Sequence, residues 1–339
     1  MAERGAASED GSRRSKKHHW VPQLHLRRFA SEDNQIATVD LSTQRRFTQS
    51  VRDAAAANNY NEVTLTDGST SDRVERLLGE MEGDAARVIR DVVDEERFPP
   101  QSDDRLVLAF YLAFQYLRTP ATRRFFEQLA EHTFKLEVAA GGPEGLREAL
   151  ESLGETVTEE LVAEEWKIIR DFDWSLTLPT NEQLRHSLEL AQEFAPAISS
   201  MTWHLVRFNH KRLLTCDHPV GLLPRNDKPS WSGTGFFTAS LIWLPLSREV
   251  GLMVRPLLPE DPRPPEDVPV PPTARLANIL NQLTVCSADR WLYHHPDDDP
   301  TQPLELRYTP GQLRATGPTP NMVAGMHDVA RRRSTPRPG

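Results

Sequence analysis

The chain has 339 residues, a formal net charge of −9 at pH 7, 38% hydrophobic residues and 27 prolines. This acidic balance argues against a protein that coats nucleic acid, because phosphate binding is driven by clusters of cations. No apolar run approaches the roughly 20 residues that a membrane-spanning helix needs, so we expect no membrane association. The two cysteines, Cys216 and Cys286, form neither a CxxC pair nor a disulfide framework, which favours the reducing cytoplasm.

The first distinctive stretch is KKHHWVPQLHLRRF at residues 16–29, which holds three histidines, four cations and no acid. Pro22 suits the first turn of a helix, and we expect a short helix over residues 22–30. The cations predict that an anionic ligand or a nucleic acid binds near this end of the chain. Residues 1–15 have no apolar stretch, so they are expected to form a disordered leader.

A hairpin and a long helix are predicted next. The segments QIATVDL and RRFTQSV predict two strands joined by a polar turn. Over residues 72–95, apolar side chains recur at helical spacing on one face. Asp72 and Glu75 fit a capping pair at the start of this helix.

A second helix is expected to begin at Ser102 and Asp103, and it is apolar nearly all round, which is typical of a central buried helix. Pro120 should break or kink it near Arg118, with Thr119 capping a continuation through Phe134. Further helices are predicted over residues 144–170 and 181–194.

Strands dominate the last part of the chain. The runs TWHLVRF, RLLTC, LIWLPL and VGLMVRP predict strands, and a helix over Thr273–Gln282 precedes one more predicted strand, LTVCSA. Strands, then helices, then strands indicate an α+β fold. We therefore expect a helical bundle packed on one side of a mixed, mostly antiparallel sheet, built from the N-terminal hairpin and the C-terminal strands. Residues 16–295 would form this single domain, and residues 296–339 an irregular tail rich in Pro and Arg.

Several of these motifs resemble a known family. The opening HHWVPQLHLRRF places His19, Pro22, Leu26 and Phe29 where the bacterial family called domain of unknown function 4238 has its signature. The resemblance continues through NNYNEV, VERLLGEME, FQYLRTP, TCDHPV and LPLS, over roughly residues 16–290. It implies a single mixed domain and no particular activity.

The histidines leave two interpretations open. A metal site needs converging His and carboxylate ligands, and His19 with Asp217 is the pair best suited to a divalent ion. However, His18 and His19 are adjacent, so their side chains diverge in most backbones, and no HExxH motif is present. The alternative is that His19 caps or hydrogen-bonds the turn that follows it.

Acids and an arginine supply the other candidates. Glu75 and Glu82 lie seven residues apart on one helix and could face one cleft, although Glu75 also fits the cap. Arg118 lies at the end of a buried helix, where its positive charge would offset the helix dipole. Alternatively, its guanidinium could bind a phosphate or carboxylate through two hydrogen bonds. Asp217 and His218 follow a predicted strand, a common position for a reactive acid and imidazole, although Asp217 also favours a turn.

A pairing of Cys216 with His218 as nucleophile and base is conceivable, but nothing in the sequence orients the imidazole. Two functions from different classes follow. In the first, which we favour, five residues converge on a polar pocket of a hydrolase, a metal-dependent phosphodiesterase or nuclease-like enzyme: His19, Glu75, Arg118, Asp217 and His218. In the second, the protein is a non-catalytic module that binds an acidic partner or nucleic acid.

Overall fold

The computed structural model describes residues 17–58, 60–61, 73–152, 154, 156–170, 175–225, 233–256 and 266–308, without the side chains of 73–75 and 137–139. The predicted leader, the predicted capping pair Asp72 and Glu75, and the tail beyond residue 308 lie outside this description.

Helices make up the middle of the chain. The described residues form seven α-helices and one short 3-10 helix, η1: α1 Gln23–Leu26, η1 Arg27–Phe29, α2 Arg73–Val93, α3 Ser102–Leu117, α4 Pro120–Ser152, α5 Glu159–Ile169, α6 Thr180–Ser200 and α7 Ala274–Ser287. The predicted start of α3 is confirmed, the described α2 lies within the helix predicted over residues 72–95, and α4 begins at Pro120, where the break was expected. Helix α4 bends at Gly142, whose φ of 60° is left-handed.

The described strands are β1 Lys17–His19, β2 Gln35–Asp40, β3 Arg46–Ser50, β4 Ala56–Asn58, β5 Thr202–Arg207, β6 Thr215–Cys216, β7 Gly221–Leu223, β8 Leu241–Pro245, β9 Val250–Arg255, β10 Val268–Val270 and β11 Trp291–His294. They form a two-stranded pair β1-β4, a five-stranded sheet in the order β10-β5-β9-β8-β7 and a four-stranded sheet in the order β3-β2-β11-β6.

This arrangement confirms the α+β class. The predicted hairpin β2-β3 does join the C-terminal strands β11 and β6, and every pairing in that sheet is antiparallel. In the five-stranded sheet, β10 is parallel to β5 and the other pairings are antiparallel. The expectation of one sheet needs correction, because the strands separate into three sheets among the described residues.

One predicted strand is wrong. The run LTVCSA lies within α7 up to Ser287, so the helix does not end at Gln282. Its β-branched residues suggested a strand, but Leu280, Leu283 and Thr284 continue the helical spacing and are buried. The Trp243 indole donates to Thr284 Oγ1 over 2.9 Å, so packing against β8 overrides the local preference for a strand.

The chain divides into two compact units. The larger contains the described residues up to 119 and those from 184 onward, and so includes all three sheets. The smaller, residues 120–183, consists of α4, α5 and the start of α6. The boundaries proposed for a single domain at 16–295 stay a prediction.

The histidine-rich opening packs into the core of the larger unit. Val21, Leu26 and Phe29 have no exposed surface, and they belong to one cluster with Trp243 of β8 and Tyr293 of β11. The short segment after β1 therefore shares one core cluster with residues of both larger sheets. This packing fixes β1 at the surface of the unit, where the candidate site lies.

Replacing Phe29 with alanine should lower the free energy of unfolding by about 3 to 5 kcal/mol, because a fully buried aromatic side chain leaves a cavity. Chemical denaturation measures this loss. Phe47→Ala is the control, since Phe47 is 38% exposed and should lose much less. Equal losses in the two variants would contradict the burial of the opening motif.

Candidate functional site

A cavity of about 550 Å³ lies in the larger unit, beside β1. It is bounded by β1, the α1–η1 segment, α2 and the end of α3, and we call it the β1 cavity. Its charged and imidazole side chains are Lys17, His18, His19, Arg27, Glu82 and Arg118. The cavity thus brings residues from both ends of the basic opening motif, such as Lys17 and Arg27, together with Glu82 and Arg118, which are distant in sequence.

Strand β1 is held by backbone pairing. His18 lies opposite Ala57 in the antiparallel pair with β4, and the Trp20 amide donates to the Ala55 carbonyl over 3.1 Å. Gln115 of α3 donates from its side-chain amide to the Trp20 carbonyl over 2.7 Å. These bonds position two adjacent histidines at the rim of the cavity.

His19 has a local structural role. Its Nε2 lies 3.1 Å from the Arg52 carbonyl, so the ring donates to the turn before β4. Burial lowers the pKa of His19, more than the neighbouring carbonyls of Val51 and Arg52 raise it. A neutral ring that donates to a turn matches the capping interpretation of the sequence.

Arg118 links three elements of the cavity wall. Its side chain is 2% exposed, and its Nη1 donates to Glu82 Oε1 on α2 over 2.7 Å. Its Nη2 donates to the His19 carbonyl over 2.6 Å. Among the described residues, the Nε–H of Arg118 has no hydrogen-bond partner. The end of α3 is therefore joined to both β1 and α2.

His18 is not among the candidates that the sequence suggests, yet its ring is oriented by the backbone. The Asn61 amide donates to His18 Nδ1 over 2.9 Å. An Nδ1 that accepts carries no proton, so the neutral ring holds its proton on Nε2. The only signal in the sequence is the His-His pair itself, since Asn61 lies 43 residues away.

Asp217 organises a different part of the molecule. Its buried carboxylate accepts from the backbone amides of Asp289, Arg290 and Trp291 at 2.9 to 3.0 Å. Burial raises the pKa of Asp217 to about 7, while the three amides oppose that rise. The carboxylate thus holds the turn between α7 and β11, and it is absent from the described lining of the β1 cavity.

Cys216 and His218, which flank Asp217, also make contacts outside the β1 cavity. The Cys216 thiol donates to the His218 carbonyl over 3.0 Å, and the His218 ring lies 4.8 Å from the Tyr116 ring. Burial raises the pKa of the Cys216 thiol well above its usual value, which keeps it protonated and opposes a nucleophilic role.

Of the five residues proposed from the sequence, the structure brings His19 and Arg118 together at the cavity. Asp217 and His218 are not among its described lining residues, and the Glu75 side chain is outside the description. Within the described ranges, no group of three or more His, Cys, Asp or Glu side chains is arranged to hold a metal ion. The catalytic and metal roles of these residues stay predictions.

No helix in the described part of the chain has the length and apolar character to cross a membrane.

The model of one protein family, described as a protein of unknown function (DUF4238), matches residues 17–298. This match confirms the resemblance seen in the opening motif. Neither the curated proteins nor the solved structures include a significant match to the chain.

Replacing Arg118 with methionine should lower the free energy of unfolding by about 2 to 4 kcal/mol, because Glu82 and the His19 carbonyl lose their donor. The loss falls below that of a fully buried pair because Glu82 is 28% exposed. In a double-mutant cycle with Glu82→Leu, the double variant should lose clearly less than the sum of the single variants. Additive losses would show that the pair is not coupled.

Acid should destabilise the fold through His25. Burial lowers the pKa of this ring to about 3, and its Nε2 lies 2.8 Å from Thr215 Oγ1. The unfolded chain binds the proton near pH 6.5, before the folded chain does, so stability is lost as the pH falls below that value. The slope approaches about 1.4 kcal/mol per pH unit.

Denaturation measured between about pH 8 and pH 4.5 tests this slope, with His25→Gln as the comparison. The variant should lose less free energy of unfolding over that range than the unaltered protein. Parallel curves would exclude His25 as the source. His19 and His294, whose pKa values burial also lowers, act in the same direction, whereas Asp217, whose pKa burial raises to about 7, acts in the opposite direction, so only the difference between the two curves reports on His25.

Proposed function

The chain belongs to the DUF4238 family, whose function is unknown, and we propose that it binds a small anionic ligand in the β1 cavity. The ligand carries a phosphate or carboxylate group. The observation that supports this most directly is the convergence of cations on the cavity: Lys17 from β1, Arg27 from η1 and Arg118 from the end of α3.

The charge in the cavity is unbalanced toward the positive side. Glu82 is the one carboxylate among the described lining residues, and Arg118 neutralises it. Lys17 is paired with Asp53, but Arg27 is exposed and donates to Gln23, a neutral amide, over 2.8 Å. An incoming anion would therefore gain most from the Arg27 guanidinium, which can bind it through two parallel hydrogen bonds.

The size of the cavity favours a small molecule over a nucleic acid. Its volume of about 550 Å³ falls in the range of small-molecule pockets, roughly 300 to 1,000 Å³. The net charge of −9 would repel an extended phosphate backbone beyond the cavity. A single anionic group within the cavity avoids that repulsion.

Hydrolysis of a phosphoester in the same cavity is the second candidate. It is favoured by His18, whose fixed tautomer places a proton on Nε2, because a positioned neutral imidazole can donate a hydrogen bond to a phosphate oxygen. A base that activates water is harder to assign, since Glu82 is paired with Arg118 and the His19 ring donates to Arg52. A metal-dependent phosphodiesterase or nuclease also lacks a ligand cluster among the described residues. Binding is therefore the better supported function.

Arg27→Gln should weaken the binding of inorganic phosphate and pyrophosphate about 10- to 150-fold, since one charge-assisted contact contributes roughly 1.5 to 3 kcal/mol. Isothermal titration calorimetry measures the dissociation constants. Arg45→Gln is the matched control, because Arg45 is also exposed and does not line the cavity.

Equal affinities in Arg27→Gln and the unaltered protein would contradict the proposal, as would an equal loss in Arg45→Gln. Tight, salt-dependent binding of a nucleic acid with no affinity for either small anion would favour the nucleic-acid interpretation instead.

A further inference from the structure

A second cavity lies in the larger unit, at the edge of the five-stranded sheet, and we call it the β10 cavity. Its volume of about 430 Å³ is within the range of small-molecule pockets, roughly 300 to 1,000 Å³. It shares no described lining residue with the β1 cavity. Its walls are mainly apolar, and they are formed by Phe98, Leu205, Pro269, Val270, Pro271 and Pro272.

The register of the sheet edge explains one wall of this cavity. Leu205 and Arg207 lie two residues apart on β5, so their side chains point to the same face of the sheet. Pro269 lies opposite Leu205 in the parallel pair that β5 forms with the edge strand β10. Because a proline ring fixes φ, this wall is rigid before a ligand arrives, which lowers the entropic cost of binding. Phe98, from the segment between α2 and α3, adds an aromatic ring to the lining.

Arg207 is the one cation among the described lining residues. Its side chain is 33% exposed, so a ligand can reach the guanidinium. Within the described part of the chain, the Val93 carbonyl alone accepts a hydrogen bond from this group, from Nη2 over 2.8 Å. A guanidinium has five N–H donors, so Arg207 retains donors for the carboxylate of a ligand.

Glu96 also lines the cavity, but it holds Arg207 weakly. Its Oε1 lies 3.7 Å from Arg207 Nε, which is beyond hydrogen-bond distance. The Glu96 side chain is 73% exposed, so water screens the attraction between the two charges. A ligand carboxylate that bonds directly to the guanidinium therefore outcompetes Glu96.

The combination of apolar walls and one accessible guanidinium determines the chemistry of the ligand. An apolar body is stabilised by burial against the walls, and a single negative group is stabilised by Arg207. A ligand with several negative charges would be repelled by Glu96. The ring of Phe98 favours an aromatic body, because aromatic pairs attract beyond the area that they bury.

We propose that the β10 cavity binds a small aromatic monocarboxylate. Its ring packs against Phe98 and the proline wall, and its carboxylate accepts hydrogen bonds from Arg207. Glu96 competes with the ligand for the guanidinium and so limits the affinity. This site is separate from the anion site proposed for the β1 cavity, and neither proposal depends on the other.

Phenylacetate is the probe, and NMR titration of the methyl signals of Leu205 and Val270 measures its position and affinity together. Both signals should shift, and phenylacetate should bind about tenfold or more tightly than acetate, which lacks the ring. Phenylacetamide, which has the ring without the charge, should bind about tenfold more weakly than phenylacetate.

Two variants should change the affinity in opposite directions. Arg207→Met should weaken phenylacetate about tenfold and leave phenylacetamide unchanged, and binding of the neutral amide shows that the variant retains its fold. Glu96→Gln should strengthen phenylacetate about two- to threefold, because the competing charge is removed. Arg46→Met is the matched control, since Arg46 also lies on a strand, is 48% exposed beside an aspartate and does not line this cavity.

Any of four results would overturn this inference. Acetate binds as tightly as phenylacetate, Arg46→Met loses as much affinity as Arg207→Met, Glu96→Gln leaves the affinity unchanged, or hexanoate binds more tightly than phenylacetate. The Glu96 result decides the question even if Arg207→Met fails to fold, because Glu96 makes no hydrogen bond to Arg207. Shifts at Leu24 and Leu78 in place of Leu205 would assign the carboxylate to the β1 cavity, which overturns this inference and supports the proposed function.

Discussion

The candidate site depends on the hydrogen bonds that the buried guanidinium of Arg118 donates. It joins the end of α3 to Glu82 of α2 and to the carbonyl of His19 in β1. The Tyr60 hydroxyl in turn donates to the Arg118 carbonyl over 2.7 Å. Because arginine presents its donors in a rigid fork, one side chain fixes the spacing of three elements that are far apart in sequence.

This arrangement also sets the electrostatics of the cavity. Since Arg118 neutralises Glu82, the acid does not cancel the field of Arg27 at the rim. The pair of Arg118 and the partly exposed Glu82 forms the inner wall, and the exposed Arg27 guanidinium is the group that would contact the proposed anion. This arrangement favours binding, because the hydrogen bonds of Arg118 already order the wall. Little further conformational entropy is then lost when a ligand binds.

Local patterns in the sequence predict the fold better than the site. Helix α2 follows from its apolar spacing, and the break at Pro120 follows from the missing amide of proline. The role of Asp217 cannot be predicted in this way, because its amide donors lie more than 70 residues away, after α7. Likewise, no local pattern shows that Asn61 orients His18, or that the cavity wall includes two glycines of α2.

The three histidines of the opening motif make three different kinds of contact. His18 faces the cavity with its tautomer set by Asn61, His19 secures the turn before β4, and His25 is buried against Thr215 of β6. The sequence favours a site centred on His19; in the structure His19 donates to the Arg52 carbonyl and lines the cavity together with Arg27, and its catalytic role stays a prediction. One short segment therefore packs into the core on one side and lines the cavity on the other, so a change in its packing would also move side chains that line the cavity.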